Sequence, residues 1–323
     1  MSGDLVGIKV TDGCDVVHEQ RLGIRNLEAR LANVAALADY HQRRWRDSAA
    51  GFARALALDP RFTVAATNLA SAQLAIGDAA AAVKTLAPFL APLDVAMYAR
   101  LVADRDLAPL LDRPDVAATR ASAPGTAKLK MTAVDVTLDG RFAFSTKYRL
   151  VAAVRGEASW GSCSRRAELV LLDSRGQVAV RLPLFSLTES STDEARNCPI
   201  ESSARVSVAA RVAAAQRLLT DLGFSPGGDP GELSPTDKGL PRATFGGVKV
   251  GLVLGAGVAR ALRSNRDIGS VHTRGEHLEA ASFFDGSYAG LNAVVFEWSR
   301  DAREGCEATD PHDIQLLPIS VSD

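Results

Sequence analysis

The sequence predicts an α+β multidomain protein, in which helical hairpins come first and a mainly antiparallel β domain with one substantial helix follows. Three observations predict this fold class. Residues 29–62 align with residues 63–96 as two consecutive units of equal length, and apolar side chains in both segments recur at helical intervals. From residue 129 onwards the apolar pattern becomes alternating, as in strands. One long helical pattern returns at residues 206–223.

The overall composition is that of a folded globular chain. Of its 323 residues, 47% are hydrophobic and 23% are charged, which excludes wholesale disorder and repetitive fibrous proteins. The 37 Lys and Arg residues are balanced by 38 Asp and Glu residues. Without an excess of positive charge, we expect no nucleic-acid partner. The strong preference for Arg over Lys indicates a bacterial protein.

The sequence also bears on membrane association and export. No apolar run reaches the roughly 20 residues that a helix needs to cross a bilayer, so no transmembrane segment is expected. Residues 1–8 lack the basic start and apolar core of a signal peptide. These observations predict a soluble, cytoplasmic protein, or a periplasmic or secreted one if a leader has been trimmed.

Each of the two aligned units is predicted to be a pair of antiparallel helices. Small residues stand at equivalent positions in the two units, Ala36 with Ala70 and Ser48 with Ala82, where they let the paired helices approach closely. Gly77 suits the turn inside the second unit because glycine tolerates a positive φ.

Other residues mark the end of the first unit and a departure from the repeat inside it. Pro60 ends the first unit because proline has no N–H to donate to a continuing helix. Arg43-Arg44 occupy the positions that Gly77-Asp78 occupy in the second unit, which is a departure from the repeat. A third, degenerate unit is predicted at residues 94–120.

These residues resemble the tetratricopeptide repeat, a helix–turn–helix unit with the same period, and the resemblance covers only the N-terminal third. It implies a groove that is lined by the inner helices and accepts an extended peptide or a partner helix. Asn68 matches the position where many members carry a groove asparagine, and Arg100 is a second candidate binding residue. Because Val34 stands at the equivalent position of the first unit, a full carboxylate clamp is not expected. The alternative that Asn68 only packs between helices remains open.

The chain is expected to divide into four parts. Residues 1–26 form an N-terminal extension and residues 27–120 form the helical repeats. Residues 121–128 are rich in small and turn-forming side chains and are predicted to be a linker. Residues 129–323 form the β-rich domain, which is not recognised as any family.

Alternation and turn signals place the strands of the β-rich domain. A hairpin is predicted where residues 167–172 meet residues 177–184 across Asp173-Ser174-Arg175-Gly176. The other predicted strands lie at residues 129–138, 142–145, 149–155, 247–254, 291–298 and 314–320. A loop rich in Pro and Gly spans about residues 225–241.

The four cysteines, Cys14, Cys163, Cys198 and Cys306, include no closely spaced pair. A structural zinc site needs clustered ligands, so no metal is expected. Cys163 and Cys198 lie among polar residues, as loop disulfides often do. Three full pairings are possible and the spacing does not choose among them, so Cys163–Cys198 and Cys14–Cys306 are candidates.

Two glycine-rich segments suggest chemistry. Gly251–Arg260 resembles both a phosphate-cradling loop at a helix N-terminus and the oxyanion loop of patatin-like lipases, but Arg260 replaces the third glycine of the dinucleotide motif. Gly286–Ala293 resembles the nucleophile turn of those lipases, with Ser287 one residue early. His272 and His277 are five residues apart, which would place them on different faces of a helix. No catalytic residue and no cofactor are therefore assigned.

The preferred hypothesis is a non-enzymatic adaptor, with a groove on the repeats and a second contact surface on the β-rich domain. One alternative is a hydrolase or ligand-binding enzyme with its site in the C-terminal domain. Another is an envelope or secreted binding module held together by disulfides.

Overall fold

A computed structural model shows helices in the N-terminal part of the chain and antiparallel sheets after it, which confirms the α+β class. The chain divides into two compact units, Met1–Thr119 and Arg120–Asp323. The structure describes residues 5–12, 15–117, 123–132, 135–140, 142–159, 165–173, 177–187, 202–227, 231–233, 242–245, 248–255, 258–263, 266–272, 277–284, 293–299, 309–311 and 313–318.

The first unit begins with a feature that the sequence does not predict. Residues 1–26 are expected to be an extension, yet β1 (Leu5–Asp12) and β2 (Asp15–Gly23) pair as an antiparallel hairpin. The helices that follow are α1 (Ile24–His41), α2 (Trp45–Leu58), α3 (Thr63–Ile76), α4 (Ala79–Leu90) and α5 (Val95–Ala103), then a 3-10 helix (Ala108–Asp112) and the short α6 (Pro114–Ala117). The degenerate third unit therefore has one full helix and two short ones.

The helices of the first unit pack in chain order. Each of the first four contacts the next, and α1 also contacts α3, which in turn contacts α5. Phe52 of α2 is fully buried and belongs to a core cluster that joins three helices. The buried members of this cluster are Ala36, Phe52, Leu69 and Ala72, with Leu37, Tyr40, Ala49 and Leu56 packed against them.

Small residues set the distance between α1 and α2. A Cβ atom added to Gly51 would lie 2.7 Å from the Cβ of Ala36. Ala36 itself is only 2% exposed. Because carbon atoms do not approach this closely without strain, the two helices pack as tightly as they do only with glycine at one position and alanine opposite.

The turns inside the two hairpins share a backbone conformation. Gly77 has a φ of 93°, and Arg43, at the equivalent position of the first hairpin, has a φ of 60°. Asp78 then caps α4, because its Oδ1 accepts a hydrogen bond from the Ala81 N–H at 2.9 Å. Arg44 makes no such side-chain cap for α2. The first turn thus keeps the geometry of the second with less suitable residues.

This comparison predicts that Arg43→Gly stabilises the protein. At positive φ a non-glycine side chain is sterically strained, and Arg43→Gly removes that strain. This effect exceeds the extra entropy of glycine in the unfolded chain, so we expect the free energy of unfolding to rise by about 0.5–1 kcal/mol. Gly77→Ala should cost about 1 kcal/mol. A Cβ added to Gly77 would have no neighbouring atom within 4 Å, so this substitution changes only the strain of the backbone. Urea unfolding of both variants measures the two changes in the free energy of unfolding. Changes of the same sign in both variants would contradict this explanation.

The second unit contains sixteen described strands and one long helix. The helix is α7 (Ser202–Asp221), as the sequence predicts. The strands are β3 (Leu129–Met131), β4 (Val136–Leu138), β5 (Ala143–Ser145), β6 (Leu150–Ser159), β7 (Arg165–Leu172), β8 (Val178–Leu187), β9 (Ser225–Pro226), β10 (Gly231–Leu233), β11 (Arg242–Phe245), β12 (Val248–Gly255), β13 (Val258–Arg263), β14 (Arg266–His272), β15 (His277–Phe284), β16 (Ala293–Ser299), β17 (Thr309–Pro311) and β18 (Asp313–Pro318).

The described strands form antiparallel sheets. The largest has the order β8-β7-β6-β5-β9, and β17 pairs with β6. Two four-stranded sheets have the orders β10-β15-β16-β18 and β11-β12-β13-β14, and β3 pairs with β4. The predicted hairpin between residues 167–172 and 177–184 is present as β7 and β8.

The prediction of one extended segment over residues 129–138 is wrong. Leu129 pairs with Leu138, so the segment folds back as the β3–β4 hairpin. The turn is closed by Thr132 and Asp135: the Thr132 N–H donates to the Asp135 carbonyl at 2.8 Å, and the Asp135 N–H donates to Thr132 Oγ1 at 2.9 Å. Short polar side chains that hydrogen-bond nearby backbone favour turns, a signal that the alternation conceals.

Part of the segment predicted as a linker, 121–128, is packed against α7. The Gly125 N–H donates to the Thr220 carbonyl at 2.7 Å, and the Ala127 N–H donates to the Phe224 carbonyl at 3.0 Å. Ala127 is fully buried. Gln216 of α7 completes this contact, because its Oε1 accepts from the Leu129 N–H at 2.8 Å and its Nε2 donates to the Ala127 carbonyl at 2.9 Å.

Candidate functional site

The candidate binding residue Asn68 lies where α1 and α3 meet. Its Nδ2 donates a hydrogen bond to Oδ1 of Asn33 at 2.9 Å. Asn33 is 5% exposed and Asn68 is half-buried. This amide pair joins the first helices of the two hairpins at one edge of their contact.

Residues on both sides of the amide pair define one surface. On α3, Val64 and Ser71 share a face with Asn68 because they lie four residues before and three after it, and both are half-buried. On α1, Arg30 lies three residues before Asn33, and its guanidinium sits 5.7 Å from the centroid of the Phe62 ring. We call this surface the α1–α3 face; its residues are Arg30, Asn33, Phe62, Val64, Asn68 and Ser71.

The polar groups of the α1–α3 face are two amides, one hydroxyl and one guanidinium, and none is a carboxylate. The helix α3 has no charged residue. At about 100° per residue, Glu28 and Asp39 of α1 point more than about 100° away from Asn33. The face therefore has no described acidic group from these two helices, and its amides suit hydrogen bonding to a peptide backbone.

The second candidate binding residue, Arg100, lies on α5 and is exposed. The hydrogen bond described for Asn68 joins it to Asn33 and not to Arg100. The four candidate disulfide residues, Cys14, Cys163, Cys198 and Cys306, lie outside the described residues. Sequence analysis missed Asn33, because the residue that the repeat aligns with Asn68 is its neighbour Val34.

An aromatic cluster lies at the turn between α1 and α2. The Tyr40 and Trp45 rings meet edge to face, with centroids 4.8 Å apart and planes at 67°. Burial raises the pKa of Tyr40 above its usual value, and repulsion from Asp106 and Asp104 raises it further. The Tyr40 hydroxyl is therefore held in its neutral form.

The raised pKa of Tyr40 predicts a loss of stability at alkaline pH. Above about pH 10 the unfolded tyrosine loses its proton while the folded one keeps it, so the free energy of unfolding falls as pH rises through the folded pKa. Tyr40→Phe should flatten this decline between about pH 10 and the folded pKa, relative to the unmodified chain. Urea unfolding of both proteins at a series of pH values tests this, and parallel curves would contradict it.

The described residues of Gly251–Arg260 lie on two paired strands, and not on the strand and helix that a phosphate or oxyanion loop needs. The strand β12 is followed by β13, with Gly255 paired to Val258, so a strand and not a helix N-terminus comes after Gly255. His272 ends β14 and His277 begins β15. Of the second glycine-rich segment, residues 286–292, which include Ser287, lie outside the described residues. Where side chains are described, no cluster of three or more His, Cys, Asp or Glu suits a metal ion.

Two further findings concern the chain as a whole. Among the described helices, none combines the length and apolar character that crossing a membrane requires. Searches against protein-family models, curated proteins and solved structures find no match to this chain. Its function is therefore inferred from the geometry of the site.

Proposed function

We propose that the chain is a non-enzymatic adaptor, whose helical unit is a short tetratricopeptide-like array that binds an extended segment of a partner protein on the α1–α3 face. The observation that supports this most is the hydrogen bond between Asn68 and Asn33. It holds two side-chain amides side by side at the junction of the first helices of the hairpins. Extended backbone needs such paired donors and acceptors.

The amide pair has hydrogen-bonding capacity beyond its internal bond. Each asparagine side chain offers two N–H donors and an acceptor oxygen, and the internal bond uses one donor of Asn68 and one lone pair of Asn33. In this proposal, Oδ1 of Asn68 accepts an N–H of the bound segment. The small side chains of Val64 and Ser71 on the same face of α3 leave room for its backbone.

The β-rich unit has the role of a second contact surface in this proposal. Three neighbouring strands of its largest sheet carry a charged cluster, in which Glu168 of β7 lies 3.6 Å from Arg155 of β6 and 2.5 Å from Arg181 of β8. Glu168 is thus flanked by two guanidinium groups. We assign no chemistry to this unit.

Photo-crosslinking tests the proposed function. A photoreactive residue at Val34, which is 62% exposed beside the amide pair, is compared with one at the exposed Lys84 of α4 in an extract of the source cells. We expect one defined segment of a partner to couple at position 34 and not at position 84. Asn68→Ala should reduce the yield by several-fold, with circular dichroism confirming the fold. Equal yields at both positions, or no effect of Asn68→Ala, would argue against the adaptor.

A further inference from the structure

The aromatic residues at the α1–α2 turn form a corner of rings that are nearly perpendicular. Tyr40 meets Trp45 at a centroid distance of 4.8 Å and 67°, and meets His41 at 6.3 Å and 83°. Phe52, which is fully buried, supports Tyr40 from the core at 6.4 Å. Tyr40 and Trp45 are half-buried and His41 is exposed. The three rings therefore lie at the surface, and the buried Phe52 packs against Tyr40 from the core side. We call Tyr40, His41 and Trp45 the aromatic corner.

The electrostatic field at the Tyr40 hydroxyl, one part of the aromatic corner, favours a cation. Asp106 and Asp104 are the charged groups whose field acts on the Tyr40 hydroxyl. Asp104 is engaged, because its Oδ1 accepts from the Leu107 N–H at 3.1 Å, whereas Asp106 is exposed. Two arginines flank Trp45 in sequence: Arg44 is committed elsewhere, since its Nε donates to Asp39 at 3.1 Å, and Arg46 is exposed. Arg43 and Arg105 are exposed and make no described contact with the rings.

We propose that the aromatic corner, with Asp106, binds a trimethylammonium group. Ring faces carry negative charge density and attract a cation that is only weakly hydrated, and perpendicular rings surround it on two sides. The Asp106 carboxylate, whose charge acts on the Tyr40 hydroxyl, adds attraction without a directed hydrogen bond, which such a group cannot make. The group can belong to an Nε-trimethylated lysine side chain or to choline. This site is separate from the α1–α3 face and does not depend on the proposed function.

Titration of the full chain with small cations tests the proposal. The probes are tetramethylammonium, choline, an N-acetyl trimethyl-lysine methylamide, and 3,3-dimethylbutan-1-ol, the uncharged carbon analogue of choline. The readout is the indole N–H resonance of Trp45, identified as the resonance that Trp45→Phe removes. We expect saturable shifts with the three cations and none with the alcohol. Tighter binding of either choline or the lysine derivative identifies the source of the group, and both results support the site.

Variants separate the site from a general effect on the fold. Asp106→Asn should weaken binding about threefold, and Glu28→Gln, which changes an exposed acid elsewhere on α1, should leave it unchanged. Tyr40→Phe keeps the ring and should retain binding, whereas Tyr40→Leu should abolish it. Absence of a saturable shift, an equal shift with the uncharged alcohol, or equal affinity in the Asp106→Asn variant would overturn the proposal.

Discussion

Gly125→Ala is expected to destabilise the second unit by about 3–4 kcal/mol, the largest effect of any single substitution considered. An added Cβ would lie 2.4 Å from the Leu219 carbonyl oxygen and 2.6 Å from both N and O of Phe224. All three are backbone atoms, one in α7 and two in Phe224 just after it, and backbone atoms cannot move aside as a side chain can. The segment must therefore move away, and the hydrogen bond from Gly125 N–H to Thr220 is lost with it.

Gly156→Ala is the matched control for this substitution. Gly156 also belongs to the second unit, in β6, but an added Cβ there meets nothing within 4 Å. We expect a change within about 0.5 kcal/mol of zero. Urea unfolding followed by circular dichroism measures both variants, and hydrogen exchange of α7 locates the change. Similar stabilities for the two variants would show that residues 123–127 do not pack on α7.

Gln216→Leu should cost about 2–4 kcal/mol, because it leaves two backbone groups without their partners. The Leu129 N–H now donates to Gln216 Oε1 at 2.8 Å, and the Ala127 carbonyl accepts from Nε2 at 2.9 Å. One side chain of α7 thus continues the hydrogen bonding of the strand that starts at Leu129. Leucine has a similar volume, so packing changes little and the loss reports on the hydrogen bonds.

Two comparisons make the Gln216 experiment specific. Arg211→Leu changes an exposed residue of the same helix and should alter stability by less than about 0.5 kcal/mol. Gln216→Glu keeps an acceptor for Leu129 but lacks the donor for Ala127 at neutral pH. Its stability relative to the unmodified chain should recover on acidification, when the carboxyl group gains a proton. A Gln216→Leu protein as stable as the Arg211→Leu protein would contradict this role of the side chain.

The helices could be predicted because their positions and ends depend on local features of the sequence. Apolar periodicity places α1 to α4 and α7, Gly77 adopts the positive φ expected of it, and α2 ends just before Pro60. Several strands were not predictable. β13 begins inside the segment whose glycines suggested a phosphate loop, since Gly255 and the residues after it suit a hairpin turn equally well.

The candidate site was predictable only in part. Asn68 can be predicted as a candidate from its position in the repeat. Its partner Asn33 is one residue before the equivalent position of the first unit, so only the packing of the helices reveals it. The contact between Gly125 and α7 could not be predicted from the sequence either, because small residues are typical both of linkers and of closely packed segments. The backbone partners of Gln216 are distant in sequence and therefore carry no local signal.

Hydrogen exchange of the full chain with and without the crosslinked partner segment, made as a synthetic peptide, tests the adaptor most directly. The proposed mode of binding predicts added protection in α1 and α3, loss of that protection with Asn68→Ala, and no change in α4. Protection confined to the β-rich unit, or none at saturating peptide, would contradict binding on the α1–α3 face.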